Sequence, residues 1–216
     1  MEVKAVIWDW DGTLVDSFSA CFKTTKKIFS LFEKNITEEE YVKNFYPNWY
    51  KMYENFGIEK ELWEVIDSLW YKHFDYSEVK WREGAEENLR LIKDLGIKQG
   101  VVTASTRRDI NEESKYLRPE RYIDKFICFE DAEKKKPDPE PLFKILEIFK
   151  VKPEECIYIG DTAGDIIMGK KAGIKYVLAI ISPFSKIDDL ERENPHYIFK
   201  DLKELLNFWR NILSKI

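Results

Sequence analysis

Short apolar runs alternate along the chain with amphipathic stretches whose apolar residues recur every three to four positions, and the two patterns predict different elements. Val3 to Trp8 is a compact run rich in β-branched and aromatic residues that stops at charged residues, the pattern of a strand buried on both faces. "IKQGVVT" (Ile97 to Thr103) and "ECIYIG" (Glu155 to Gly160) repeat it, with "KFICF" (Lys125 to Phe129) and "IKYVLAI" (Ile174 to Ile180) as further candidates. Between them Ala85, Leu89, Ile92 and Leu95 share one helical face, as do Leu142, Ile145, Leu146 and Phe149. The closing "DLKELLNFWRNILSKI" reads as an amphipathic helix with Leu202, Leu205, Leu206, Trp209 and Leu213 facing inward. Strand and helix thus alternate. The alternation predicts an α/β fold, a parallel sheet with helices on both faces, whose ligands sit at the carboxyl ends of the strands.

One interval breaks the rhythm. From about Ser19 to Trp81 there is helical periodicity, marked by Leu62, Ile66, Leu69 and Trp70, without a convincing buried strand. It predicts a helical insertion, entered after the first strand and left near "KWREGAEENL", where Gly84 and the following run start a core helix. The expected division is a core of residues 1–16 and 82–216 and a helical cap of residues 17–81. Tyr41 to Trp81 holds 13 of the chain's 32 aromatics and four of its seven tryptophans. A small helical unit needs large side chains to fill a limited core, and the same rings could line an aromatic substrate pocket; Tyr46, Trp49 and Tyr53 are candidates to face it.

Composition narrows the function classes. With 216 residues, 44% hydrophobic and 35% charged, the chain suits one soluble domain plus an insertion. Its net charge of -5 is spread without a basic block, which gives no reason to expect nucleic acid as a partner. No signal peptide and no apolar run of membrane-spanning length is visible, so the expectation is a cytoplasmic protein, monomer or homodimer, with no membrane partner. Cys21, Cys128 and Cys156 are odd in number and far apart and read as reduced thiols. His73 and His196, the only histidines, leave little material for histidine chemistry. Gln99 is the only glutamine amid abundant Lys and Glu, a bias resembling that of hyperthermophile proteins.

The candidate chemistry lies where strands end. In "VIWDWDGTLVDS", Asp9 and Asp11 leave the first strand together, and two neighbouring carboxylates raise the local negative potential unless a cation neutralises it. Mg²⁺, a hard cation that prefers oxygen ligands, is the natural candidate, and Gly12 lets the chain turn sharply. "VVTAS" puts Thr103 and the amides after it at another strand end, where a hydroxyl and N–H groups could hold a phosphate; Ser105 or Thr106 could share that role. "KKKPDPEPL" sets Lys136 before a proline, with Lys134 and Lys135 read as solvated, and "YIGDTAGDI" ends a further strand with Asp161 and Asp165. Asp16 reads as a cap or hinge residue, Arg107 and Arg108 as exposed positions at a helix start, and Trp8 and Trp10 as packing beside the site.

Acid pair, hydroxyl, lysine, acid pair: in this order, over the whole chain, these segments resemble the haloacid dehalogenase superfamily, in its phosphatase branch with a helical cap inserted after the first strand. The resemblance implies a Rossmann-like core with a mobile cap, and a hydrolase acting on a small phosphate ester, similar to phosphoglycolate phosphatases. It implies that Asp9 is the nucleophile that forms an aspartyl-phosphate and that Asp11 protonates the leaving oxygen and then activates water. Lys136 and Mg²⁺ would supply positive charge, while Thr103 with the amides of Ala104 and Ser105 would orient the phosphoryl oxygens. Metal contacts would come from Asp9, the Asp11 backbone carbonyl and Asp161, with Asp165 either direct or one step removed. A sugar-phosphate mutase of the same superfamily uses the same acids and stands as the alternative. From a different class, a response-regulator receiver also combines an acidic Mg²⁺ site with Thr or Ser and Lys, but it is shorter, carries no cap and bears its acceptor on an interior strand. A non-catalytic binding protein with a decayed site is disfavoured because every expected catalytic position is filled.

Overall fold

The computed structural model describes residues 3–46 and 48–213. Strand β1 (Ala5–Trp8) leads to a two-residue strand, β2 (Val15–Asp16). Four helices follow, α1 (Phe18–Ser30), α2 (Glu38–Asn44), α3 (Trp49–Asn55) and α4 (Trp63–His73), before β3 (Lys80–Trp81). The regular alternation then runs α5 (Ala85–Asp94), β4 (Lys98–Val102), α6 (Arg107–Leu117), β5 (Lys125–Ile127), α7 (Glu140–Phe149) and β6 (Cys156–Gly160). It closes with α8 (Ala163–Lys171), β7 (Tyr176–Ile180), α9 (Ile187–Arg192), β8 (Tyr197–Phe199) and α10 (Leu202–Leu213).

Six strands form one sheet in the order β5-β4-β1-β6-β7-β8, every pair parallel. All four residues of β1 are buried, because both faces of the sheet are covered. Val6 and Trp8 pack toward Leu89, Ile92, Leu205 and Trp209 on one side, and Ala5 and Ile7 toward Leu142, Ile145 and Met168 on the other, the two-residue alternation of a strand. The chain passes from β1 outward to β4 and β5, then crosses to β6, β7 and β8. β1 therefore stands where the strand order reverses, which opens a crevice at its carboxyl end.

Helices α1 to α4 build a separate core around Phe29, Tyr41, Tyr53 and Ile66. Its link to the sheet is the antiparallel pair of β2 and β3, Val15 opposite Trp81 and Asp16 opposite Lys80, so Asp16 lies exposed in the connection. Arg82, just past β3, donates from its backbone to Leu14 O (2.9 Å) and from its guanidinium to Ile181 O (2.8 Å) and to Gly12 O. The loop after β7 also reaches the helices: Phe184 is buried against Phe18 and Phe45, with ring centroids 5.0 and 4.6 Å away, and Lys186 Nζ donates to Lys43 O (2.7 Å) at the end of α2.

Two details depart from the sequence pattern. Leu95 is 46% exposed, because α5 stops at Asp94 where Gly96 turns with φ +71°, so the buried face ends at Ile92. β8 has only three residues, and β2 and β3 two each, too short for a period to register. In α10, Leu202, Leu205, Leu206 and Trp209 are buried, while the side chain of Leu213 lies outside the described residues. Among the described residues no helix is long and apolar enough to cross a membrane.

Candidate active site

The carboxyl edge of the sheet gathers the site from neighbouring strands. After β1, the backbone N–H groups of Leu14 and Val15 both donate to Trp10 O (2.9 and 3.1 Å), which winds the chain into a tight loop. Gly12 occupies that loop at φ +78°, and a Cβ there would overlap Asp161 Oδ2, so glycine serves both the turn and the approach of the loop after β6. After β4, Thr103 Oγ1 accepts from Ser105 N (2.9 Å), and Thr106 caps α6. After β6, Gly160 leaves room for Asp165, whose carboxylate caps α8 through Thr162. Lys136 does not follow a strand directly; it reaches in from the connection between β5 and α7.

A buried charge cluster results. Lys136 Nζ donates to Asp9 Oδ1 (2.5 Å) and Asp165 Oδ1 (2.8 Å), all three side chains being at most 8% exposed. Asp165 also accepts from Tyr158 OH (2.7 Å), Thr162 N (3.1 Å) and Thr162 Oγ1 (2.6 Å), so both of its oxygens are engaged. Burial would raise the Asp165 carboxyl, yet the Lys136 ammonium and these hydrogen bonds outweigh it and hold it below its usual range. Burial would likewise lower Lys136, and the charges of Asp165 and Asp9 reverse the sign and keep the ammonium protonated.

Asp9 is left in a different state. Its Oδ2 is buried without a hydrogen-bond partner, and burial pushes its carboxyl up to about 7 against the pull of Lys136. Asp161 is pushed well above its usual value by burial, reinforced by Asp9 and Asp165, although Ser182 Oγ donates to it. Carboxylate oxygens of Asp9, Asp161 and Asp165 all lie within 4.8 Å of one another. An orphaned buried oxygen among carboxylates that resist ionisation fits a hard divalent cation, which would neutralise them. Because Asp165 is already saturated, Asp9 and Asp161 are the carboxylates with capacity to spare.

Asp11 turns away from this cluster. It accepts from Ser17 Oγ (2.7 Å) and Ser105 Oγ (2.5 Å), and burial raises its carboxyl against those two bonds. Thr103, Ala104 and Ser105 share one cavity with Asp9, Asp11, Lys136, Asp161 and Asp165, so the expected residues do converge. The cavity, about 150 Å³, is roofed by the helical unit, with Tyr46, Trp49 and Tyr53 among its lining.

Several supporting residues escape a motif-based reading. Tyr158 carried a signal, since a tyrosine inside a fully buried strand must satisfy its hydroxyl nearby. Glu113 also did: it interrupts the apolar spacing of Ile110 and Leu117 on α6, and it accepts from Trp10 Nε1 (2.6 Å). Ser17 and Ser182 had none, because a hydroxyl aimed at an acid distant in sequence leaves no local pattern. Lys135, expected in solvent, is half-buried and donates to Phe129 O (2.7 Å); Lys134 is exposed. Arg107 pairs with Asp131, and Arg108 lies 4.1 Å from the ring centroid of Tyr71.

Comparison with known proteins agrees with this geometry. Residues 6–179 match the family model described as haloacid dehalogenase-like hydrolase. A protein of Caldanaerobacter subterraneus subsp. tengcongensis that carries the pyrophosphatase PpaX name is 31% identical over 95% of this chain and 94% of its own. A Lactobacillus plantarum structure named as a phosphoglycolate phosphatase superposes with a TM-score of 0.85 at 18% identity, covering 96% of this chain and 99% of that one. A Thermotoga maritima structure named as a β-phosphoglucomutase superposes at 0.77 with 25% identity, covering 98% and 100%. With most of its length under one family model and a relative above 30% identity along nearly all of it, the chain belongs to the haloacid dehalogenase-like hydrolases, as an enzyme of the phosphatase type.

Proposed function

We propose that this chain is a Mg²⁺-dependent phosphomonoester hydrolase working through an aspartyl-phosphate on Asp9, with residues 17–81 acting as a cap over a core of residues 1–16 and 82–216. The observation that carries the reading is the unpartnered, buried Asp9 Oδ2 beside Lys136. Attack on phosphorus by an Asp9 carboxylate oxygen would form an acyl phosphate and break the ester P–O bond. Asp11, held apart by Ser17 and Ser105 and raised by burial, is suited to give a proton to the departing alkoxide and to take one from the water that cleaves the acyl phosphate. Lys136, fixed by Asp165, would balance the charge of the phosphoryl oxygens, and Thr103 with the amides of Ala104 and Ser105 would orient them. Asp9, Asp161 and the Asp11 backbone carbonyl would hold Mg²⁺, which when bound supplies charge neutralisation at the phosphoryl group.

The mutase alternative would need a cavity able to hold and turn a polyhydroxylated sugar, and the aromatic lining argues against it. The experiment is direct. Purified enzyme with Mg²⁺ should release phosphate from 4-nitrophenyl phosphate, and acid-quenched turnover should trap a phosphoryl adduct on Asp9 by peptide mass spectrometry. Asp9→Asn should abolish both while leaving circular dichroism unchanged; an adduct mapped elsewhere would overturn the assignment.

A further inference from the structure

We infer that the alcohol released at this site is small, free of negative charge and largely apolar, no larger than a single ring. The inference rests on the phosphatase reading above and narrows it to a substrate class. The wall opposite the charge cluster is aromatic: Tyr41, Phe45, Trp49, Tyr53, Trp70 and Phe74 line the cavity. Their hydroxyls and the neighbouring ones are largely committed to protein partners. Tyr53 and Tyr50 donate to the two oxygens of Asp67 (3.1 and 3.0 Å), Tyr71 donates to Thr106 (3.2 Å), and Tyr76 to Asp109 (2.6 Å). What remains toward a leaving group is mainly ring surface, with the buried Nε1 of Trp49 as a donor that has no partner.

Charge excludes an anion. Lys136 is the one cation among the described residues that line the cavity, and it already spans Asp9 and Asp165. Beyond the four site acids, Asp67, Asp109 and Glu113 also line it. Of the cations on adjoining segments, Lys135 donates to Phe129 O and Lys186 to Lys43 O, while Arg108 is exposed against the Tyr71 ring and does not line the cavity. A leaving group bearing a carboxylate, as in phosphoglycolate, or a second phosphoryl, as in pyrophosphate, would lie among acids with no further cation in the lining to pair it. Both oxygens of Asp67 and of Asp109 are hydrogen-bonded within the protein, which fixes these acids in the wall. Size sets the remaining limit: the cavity, phosphoryl end included, is about 150 Å³, which bounds the leaving group at about one ring.

Benzyl phosphate and phosphoglycolate make the test, because both release a primary alkoxide and differ in a phenyl against a carboxylate. With Mg²⁺, kcat/KM for benzyl phosphate should exceed that for phosphoglycolate and pyrophosphate by about tenfold or more. Asp67→Asn should narrow the gap by raising phosphoglycolate, and Trp49→Ala should narrow it by lowering benzyl phosphate alone. Benzylphosphonate should also quench tryptophan fluorescence at lower concentration than phosphonoacetate, a readout independent of turnover. Parity or preference for any of the charged substrates would overturn the inference while leaving the phosphatase reading intact. If 4-nitrophenyl phosphate were inert as well, the reading beneath it would fall.

Discussion

Replacing Lys136 by methionine tests the buried charge cluster more severely than any other single change. The substitution keeps the length and apolar stem of the side chain and deletes the ammonium that lies 2.5 Å from Asp9 and 2.8 Å from Asp165. Asp165 retains Tyr158 and Thr162, whereas Asp9 loses the partner of Oδ1 and already has none for Oδ2. Removing one member of a buried ion pair costs about 3–5 kcal/mol, a large share of a total stability of about 5–15 kcal/mol. For a chain of this size each kcal/mol moves Tm by about 2–4 °C, so the loss should be ~6–20 °C. The assay is thermal unfolding at pH 8 with EDTA, where Asp9, at about 7 with Lys136 beside it, is ionised in the wild type, whereas in the variant it must take up a proton or stay buried as an unpaired charge. Lys136→Met with Asp9→Asn should then recover part of the loss, because the orphaned carboxylate is gone. Activity of Lys136→Met should drop by about 10²- to 10³-fold or more on every ester alike, as expected when charge on the common phosphoryl group is lost. A Tm within about 2 °C of wild type, the shift from roughly half to one kcal/mol, would refute the claim that this ammonium holds two buried carboxylates in place.

Three further outcomes follow from other parts of the site. Asp11→Asn should slow benzyl phosphate by about 10²- to 10⁴-fold but 4-nitrophenyl phosphate far less, since only the poorer leaving group needs its proton; equal losses would argue against an acid role. Burial, backed by the charge of Asp11, holds the Glu113 carboxyl well above its usual 4.5 despite the hydrogen bond from Trp10. Such a raised carboxyl stabilises the fold below its unfolded value and loses that contribution as pH rises through the folded one, so Glu113→Gln should gain on wild type in Tm scans as pH climbs above 4.5; a pH-independent difference would count against it. Gly12→Ala should lose most activity and about 1–2 kcal/mol of stability from the left-handed backbone alone, measured by urea unfolding, and a variant as active as wild type would show that the loop has slack.

The strands and the acid pairs were legible because each is local: an apolar run of five or six residues ending in Asp or Thr declares both a buried strand and what emerges from it. α7 was equally plain, with Leu142, Ile145, Leu146 and Phe149 all buried on one face. Partnerships across the fold were not legible. That Asp165 would spend its oxygens on Lys136, Tyr158 and Thr162, leaving Asp9 as the orphan, depends on three segments meeting in space. Likewise the aromatic richness of Tyr41 to Trp81 could not say which rings fill the helical core and which face the cavity; Tyr41 and Tyr53 do both.

The loop after β7 touches two things at once. Ser182 and Ser185 hydrogen-bond to Asp161, while two residues along Phe184 is packed among the rings of α1 and α2, and Lys186 ties to the end of α2. The helical roof and the acid proposed to bind the cation therefore share a mechanical connection outside the hinge at β2 and β3. A displacement of the roof that pulls on Phe184 would act on the loop that carries Ser182 and Ser185, the partners of Asp161. By thermodynamic reciprocity, whatever factor roof closure adds to cation affinity, the cation adds to the population of the closed roof, so the enzyme would be most firmly shut when it is loaded.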